Sequence, residues 1–457
     1  MRRQRNSLTK IITFLVLILI VIGVVFVFLS PQFEQKPPQI TMDNNKYWNG
    51  KDAITISLYD ESGIRSYNAY YASDNGLMVI NNQKVSSKQT NITFTLGDIR
   101  LKPNDKSVKI IVEATDRSSW NLFQGNGVSK EFIINVDRQR PIANVVTNSY
   151  NIRKGGSAAV VVEVKDENLA ETYITFNGEY RFELIPYKKE NFYVAIIAWP
   201  VWEDDFSRVN LVAIDKANNK TVTKVPLYIK DLNIKNDNIK IDDDFIENIS
   251  VHVLQRSDFE VPLNNKDIFI EQNRNLRVKN VATIRKISLQ KMSKQMENRF
   301  KIEPFRRLNG SKTFAGFAEK RHYFYNGEKI DEAWHLGMDW ASIKHADITL
   351  SNDGNVIFND YLGIYGNTLI VDHGFGIQSL YAHTSKSFVQ GNESVNAGDK
   401  IALTGSSGAV FGDHLHFGVL VQGIEVNPLE WMDKNWIKTR ITNILQDADS
   451  VIKSSGK

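Results

Sequence analysis

Six of the eight histidines lie between His335 and His416. Two groupings there have spacings that suit chemistry, His335-Leu336-Gly337-Met338-Asp339 and His414-Leu415-His416. Residues i and i+2 of a strand share a face, so the imidazoles of His414 and His416 can reach one volume. Asp339 would add the hard oxygen that zinc accepts, and two imidazoles with one carboxylate leave a fourth position for water. Such a set serves metal-assisted hydrolysis. Spacing alone leaves a second reading open, because HxH and HxxxD also arise by chance on surfaces and in cores. The chain has no cysteine, so catalytic thiolates, disulfides and thiolate metal sites are excluded, and any metal must be held by His, Asp or Glu.

The elements that must carry these residues occupy a chain of 457 residues, long enough for about three domains. Residues 11–29 carry no charge, and at 1.5 Å each they make about 28 Å of helix against a hydrocarbon core of about 30 Å. No small-residue cleavage site follows, so the expectation is an uncleaved signal anchor. Arg2, Arg3, Arg5 and Lys10 precede it without an acidic residue, which places the N-terminus in the cytoplasm and the remainder outside. Beyond residue 30 the chain balances 52 acidic against 52 basic residues. That balance offers no nucleic-acid footprint.

From residue 40 to 231, short alternating strands and Asn/Asp/Gly/Ser turns read as all-β. The stretch repeats internally, aligning Asp60 with Asp166 and Asp116 with Asp215. Two units of about 100 residues each, 40–137 and 138–231, resemble bacterial immunoglobulin-like modules. They would serve as spacers or as docking surfaces for envelope proteins. Residues 232–306 read as a partly helical linker. A capping box is expected at Asp244 and Glu247, and an amphipathic helix or helix pair over 271–300, close enough in sequence to cover a neighbouring groove. Strand patterning returns over 307–433, and a terminal helix is expected over 435–446 within a C-terminal segment 434–457.

With these residues in place, the segment from about 333 to 428 resembles the catalytic domain of the lysostaphin/LytM-type zinc metallopeptidases, peptidase family M23. The matching pieces are HLGMDWA at 335–341, DGNV at 353–356, YGNTLIVDHGFG at 365–376, YAH at 381–383, GDKIALTGSSG at 398–408, HLHFGV at 414–419 and VNP at 426–428. The resemblance implies a mostly antiparallel β metallopeptidase domain with a narrow groove, and one Zn2+ per chain held by His335, Asp339 and His416. It further implies that His383 and His414, free of the metal, orient water and stabilise charge; either could be the base, and the assignment adopted takes His414 as the base and His383 as facing the oxyanion. His373 is expected to make a structural hydrogen bond, while His345 and His322 have no matching role. Tyr365, Trp340, Phe375 and Tyr381 are candidates for the groove wall.

Two departures stand out: KTFAGFAEKRHYFY at 312–325 replaces the family's usual upstream stretch, and Asp413 precedes the HLH motif, where it could raise the pKa of His414 or bind nothing in particular. The fold expected is therefore mainly β: an N-terminal transmembrane helix, two immunoglobulin-like β-sandwich domains, a helical linker and a LytM-type domain. The function expected is a zinc endopeptidase of the bacterial cytoplasmic membrane, with its ectodomain outside, acting on peptidoglycan peptides. The alternative is a non-hydrolytic envelope scaffold or regulator of other wall hydrolases.

Overall fold

The computed structural model describes residues 2–43, 46–73, 76–97, 99, 101–204, 208–295 and 300–454. The chain forms two compact units, one of residues 1–140 with 215–219, the other of 141–214 with 220–457.

The first unit begins with a helix over Arg2–Leu29. Its segment Leu8–Leu29 is long and apolar enough to cross a membrane, and none of it is buried within the protein. Phe14, Leu19, Val21 and Phe28 each expose more than half their surface, which in water would be costly all the way round the helix. After it, a three-stranded and a five-stranded sheet share a core that includes Ile40, Ile56, Leu58, Ile110 and Ile134. Strand Ser107–Asp116 alternates buried and half-buried residues, as a strand with one face on a core must.

The internal repeat proves to be turn chemistry. Asp60 Oδ1 accepts from the Ser62 amide at 2.8 Å, and Asp166 Oδ1 from the Asn168 amide at 2.7 Å. Asp116 does the same for Ser118 and Asn126, and Asp215 for Asn219. A carboxylate bonding backbone two residues on is what favours Asp in such turns.

In the second unit, strand Ser157–Lys165 is buried on both faces almost throughout. The reason lies at the far end of the chain, where helices from Pro428–Met432 to Asn443–Ser454 pack across it. Trp431 is fully buried and donates to Ser157 Oγ at 2.9 Å, and Ser149 donates to the Arg440 carbonyl at 2.6 Å. One continuous core runs from Ala143 through Val160 and Ile196 to Val419, Trp431 and Ile452.

Several expected boundaries are corrected. Of the short strands expected over 40–231, the alternating stretch at 221–229 divides into two, Lys220–Lys224 and Tyr228–Lys230, separated around Pro226, which has no amide to donate. The N-cap is Asp242, accepting from the Phe245 amide at 2.9 Å, two residues before the expected Asp244. The linker helix begins earlier and ends earlier than expected: Asn265–Ile270, a π-helical turn over Glu271–Leu276, then Arg277–Lys291. It stops because Met292 turns extended and the Asp372 carboxylate captures the Ser293 amide at 3.1 Å. Residues 296–299 of the expected helix lie outside the described residues. The terminal helix continues to Ser454, carried by the buried Leu445, Ala448 and Ile452.

The eight-stranded sheet of this unit includes Met338–Ala341, Leu415–Val421, Ile377–Ala382, Asn367–Asp372 and Gly354–Tyr361. Its two faces enter different cores, and the assignment alternates residue by residue. Val419, Val421, Val371 and Tyr381 face the core shared with the second β module. Leu420, Ile370, Leu380 and Ala382 face a core built with the linker helix residues Phe269, Leu276 and Ile284. Period-two alternation then puts His416 on the helix-bearing face, with Leu420.

Candidate metal centre

Three strand ends bring the sequence-predicted residues together. Asp339 and His416 are direct cross-strand partners between Met338–Ala341 and Leu415–Val421. Antiparallel partners hold their Cβ atoms about 5 Å apart, so a separation of 77 residues along the chain vanishes in space. His335 ends strand Glu328–His335, and Ala382 of the YAH stretch pairs with His416 from the other side. His383 then adopts a left-handed backbone, φ 61°, which breaks the strand alternation. Its ring lies 5.8 Å from that of His416 and 4.9 Å from that of His414.

Asp339 Oδ1 lies 3.0 Å from His335 Nε2 and 2.8 Å from His416 Nδ1, and the two imidazole nitrogens are 3.2 Å apart. These separations are close to the ~3.3 Å edge of a tetrahedron with bonds of 2.0–2.1 Å, so the donor set fits one zinc ion. Two of the three donor groups are oriented from behind. The Gly316 carbonyl accepts from His335 Nδ1 at 2.7 Å, leaving Nε2 to face the cluster. Arg321 donates to Asp339 Oδ2 at 3.1 Å, leaving Oδ1 for the same purpose.

Protonation suits a cation as well. Burial would raise the Asp339 pKa, but the His335 and His416 imidazoles outweigh that and hold its carboxyl well below the usual range. Burial pushes His416 down to about 4. The site therefore stands with an ionised carboxylate and a neutral imidazole, the forms that bind metal. Gly337 is required by the close approach of the strands: a Cβ there would meet His416 Nε2 at 2.5 Å and the Phe417 carbonyl at 2.7 Å.

His414 and His383 stand beside the cluster with a shared arrangement. The Gly412 carbonyl accepts from His414 Nδ1 at 2.8 Å, and the Ser407 carbonyl from His383 Nδ1 at 2.8 Å. In the neutral rings each Nε2 is then an acceptor. His414 Nε2 lies 3.8 Å from Asp339 Oδ1. His383 is buried, and burial followed by the charges of His414 and His416 holds its pKa well below the usual value. Gly366 and Gly408, at φ 64° and 82°, flank Ser407 closely enough that a Cβ on Gly366 would sit 2.4 Å from it. No other residue type fits there while keeping the Ser407 carbonyl on His383.

The remaining expectations divide. His373 makes its structural bonds: Nδ1 donates to the Asp353 carbonyl and Nε2 pairs with Ser379 Oγ, both at 2.7 Å. His322 bonds Asn236 Oδ1 at 3.1 Å, and His345 bonds Ser385 Oγ at 3.0 Å. The Asp413 carboxylate accepts from Thr404 Oγ1 at 2.6 Å and from the His345 amide at 3.2 Å. Of the four aromatic candidates only Tyr365 lines the cleft. Trp340, Phe375 and Tyr381 are 1%, 0% and 2% exposed and belong to the core behind the sheet.

His373 yields a pH prediction. Burial lowers its pKa to about 4, against an unfolded value of about 6.5. Between those values the unfolded chain binds the proton and the folded one does not, so stability rises with pH across the window. The contribution is complete above about pH 6.5 and lost by about pH 4, roughly 3 kcal/mol for this one group. Urea midpoints of wild type and His373→Gln should converge as pH falls through that window. Parallel curves would show that the ring titrates normally.

The cleft over the cluster has a volume of about 450 Å3. Residues outside the expected site contribute to it: Arg321 from strand Glu319–Tyr325, and Phe269, Gln272, Asn273 and Arg277 from the linker helix. Sequence proximity points to this helix as a cover for the groove, but on an amphipathic pattern Gln272, Asn273 and Arg277 look like any solvated face, so it carries no signal for which residues line the cleft. Arg321 falls in the stretch where the family resemblance is weakest.

Residues 333–428 match the sequence profile of peptidase family M23. The chain is 36% identical over 107 residues to the DD-carboxypeptidase/endopeptidase Mpg of Neisseria meningitidis, covering 23% of this chain and 25% of that protein. It is 37% identical over 98 residues to the murein hydrolase activator EnvC of Escherichia coli, covering 21% and 23%. It is also 34% identical over 116 residues to the peptidoglycan DD-endopeptidase ShyB of Vibrio cholerae, covering 25% and 26%. The chain thus spans about a quarter of the length of the curated relatives it matches. An M23-family domain with a His/Asp/His cluster able to hold a metal is present in its C-terminal part.

Proposed function

We propose that this chain is a zinc-dependent endopeptidase, anchored in a bacterial cytoplasmic membrane by its N-terminal helix, that hydrolyses cross-link or stem peptides of peptidoglycan outside that membrane. The observation that carries the reading is the convergence of His335 Nε2, Asp339 Oδ1 and His416 Nδ1 to within 2.8–3.2 Å, with two further imidazoles beside them. Zinc, when bound, would polarise the scissile carbonyl and lower the pKa of a water. The rest falls to side chains of this protein. His414 accepts the proton of the attacking water through Nε2 and returns it to the departing amine. His383 faces the developing oxyanion. Burial holds it neutral at rest, so donating to that oxygen requires its Nε2 to take a proton from solvent in the cleft, which the negative charge developing beside it favours. Arg321 keeps Asp339 oriented.

The β modules at 40–137 and 138–231 are read as immunoglobulin-like spacers, with surfaces for envelope partners. A second reading, a non-hydrolytic regulator of other wall hydrolases, is favoured by the likeness to the activator EnvC. The test separates the two. The full chain in detergent, incubated with defined cross-linked muropeptides, should release cleaved products detectable by mass spectrometry and carry one zinc per chain. Intact muropeptides together with stimulation of an added wall hydrolase would replace the first reading by the second.

A further inference from the structure

The wall of the cleft opposite the strand-borne histidines comes from the linker helix, which lies outside the segment matched to the family. Gln272 is 2% exposed, lines the cleft, and its Oε1 accepts no hydrogen bond among the described residues. A buried amide oxygen without a donor is costly to hold unless something else satisfies it. Gln272 lies in the π-helical turn over Glu271–Leu276, a local departure from α geometry that often accompanies functional positions.

One turn further on, Arg277 also lines the cleft. Its Nε and Nη2 donate to Asn273 Oδ1 at 3.2 and 2.8 Å, so the guanidinium is aimed. The Asn273 amide is itself fixed, because its Nδ2 donates to Asp331 Oδ2 at 3.0 Å and only its oxygen can face Arg277. No carboxylate pairs with Arg277 among the described residues, and Nη1 has no protein partner there. The half-buried guanidinium thus lines the cleft with no direct ion-pair partner among the described residues.

We infer that Gln272 and Arg277 form a substrate-reading subsite, in which the Gln272 carboxamide pairs with a main-chain amide of an extended peptide and the Arg277 guanidinium binds a carboxylate on that peptide near the cleaved bond. The inference rests on the endopeptidase reading and sharpens it: the preferred substrate carries a free carboxylate, and an uncharged peptide is a poorer one. The helix itself is held to the sheet by the core of Phe269, Leu276 and Ile284; the Gln272 carboxamide, whose oxygen is buried, turns toward the cleft to meet the peptide.

The test uses the full chain in detergent and two muropeptides that differ only in whether the free stem carboxylates are intact or converted to carboxamides. Wild type should cleave the carboxylate form with kcat/KM roughly ten-fold higher, the scale of a charge-assisted hydrogen bond. In Arg277→Gln that ratio should fall to near one. In Gln272→Leu, which preserves shape, kcat/KM should fall roughly ten-fold for both peptides while the zinc content stays at one per chain. A wild-type ratio near one, a ratio that survives Arg277→Gln, or unchanged kinetics in Gln272→Leu would overturn the subsite. A Gln272→Leu chain that fails to fold leaves the decision to Arg277→Gln. If wild type cleaves neither peptide, the hydrolase reading falls separately, and binding decides the subsite. Tighter binding of the carboxylate form by the zinc-free chain, lost in Arg277→Gln, supports it, and equal binding refutes it.

Discussion

Replacing His335 with alanine should strip the full chain of zinc and of muropeptide hydrolysis together. His335 supplies one of three donor atoms, and its Nε2 lies 3.0 Å from Asp339 Oδ1 and 3.2 Å from His416 Nδ1. Two remaining donors cannot complete a site that uses three protein ligands and one open position. The substitution also leaves the Gly316 carbonyl without its donor. The expected result is zinc falling from one per chain to under about a tenth, with hydrolysis reduced at least ~1,000-fold. Metal content by atomic emission and product formation by mass spectrometry measure both. Retained zinc would show that the ligands are misassigned. Lost zinc with undiminished hydrolysis would show that the metal is not needed for the reaction.

The second large effect separates holding the metal from moving protons. His383→Ala should keep stoichiometric zinc and still lose activity by about 100- to 10,000-fold, the range typical of a positioned acid–base group. His383 is not among the three converging donors, and its Nδ1 is committed to the Ser407 carbonyl at 2.8 Å. What the alanine removes is an Nε2 facing the cleft and the ring against His414, 4.9 Å away. His414→Ala should act alike. The double variant should cost much less than the product of the two, because groups that work on one proton path do not contribute independently. A His383→Ala rate within about three-fold of wild type would remove this residue from the chemistry, and loss of zinc would move it into the coordination set.

The comparison of these two variants also addresses the alternative of a non-hydrolytic regulator. A regulator that uses the cleft only for binding has no reason to distinguish a metal ligand from an adjacent imidazole. A hydrolase does, since one loss abolishes the site and the other slows a step within it.

What sequence alone determined is the inventory: an apolar helix of spanning length, β-rich modules, and a compact set of donors in short motifs. HLGMD and HLH are legible because their spacing is local, with two histidines sharing a strand face and a carboxylate four residues from a third. The aspartates of the internal repeat are legible for the same reason, as each bonds a backbone amide a few residues away. Tertiary structure decided everything that depends on which strand lies beside which. Cross-strand register makes Asp339 and His416 partners. The same register sends Trp340 and Tyr381 to the core behind the sheet, and the fold sets the Asp413 carboxylate against Thr404. Proximity in sequence suggests that the linker helix could cover the groove, but which of its residues line the cleft is not legible, because its polar face resembles one that meets solvent until the sheet it covers is known. Side-chain direction follows local backbone, but what a side chain meets follows from pairings tens to hundreds of residues apart, and those are properties of the folded chain.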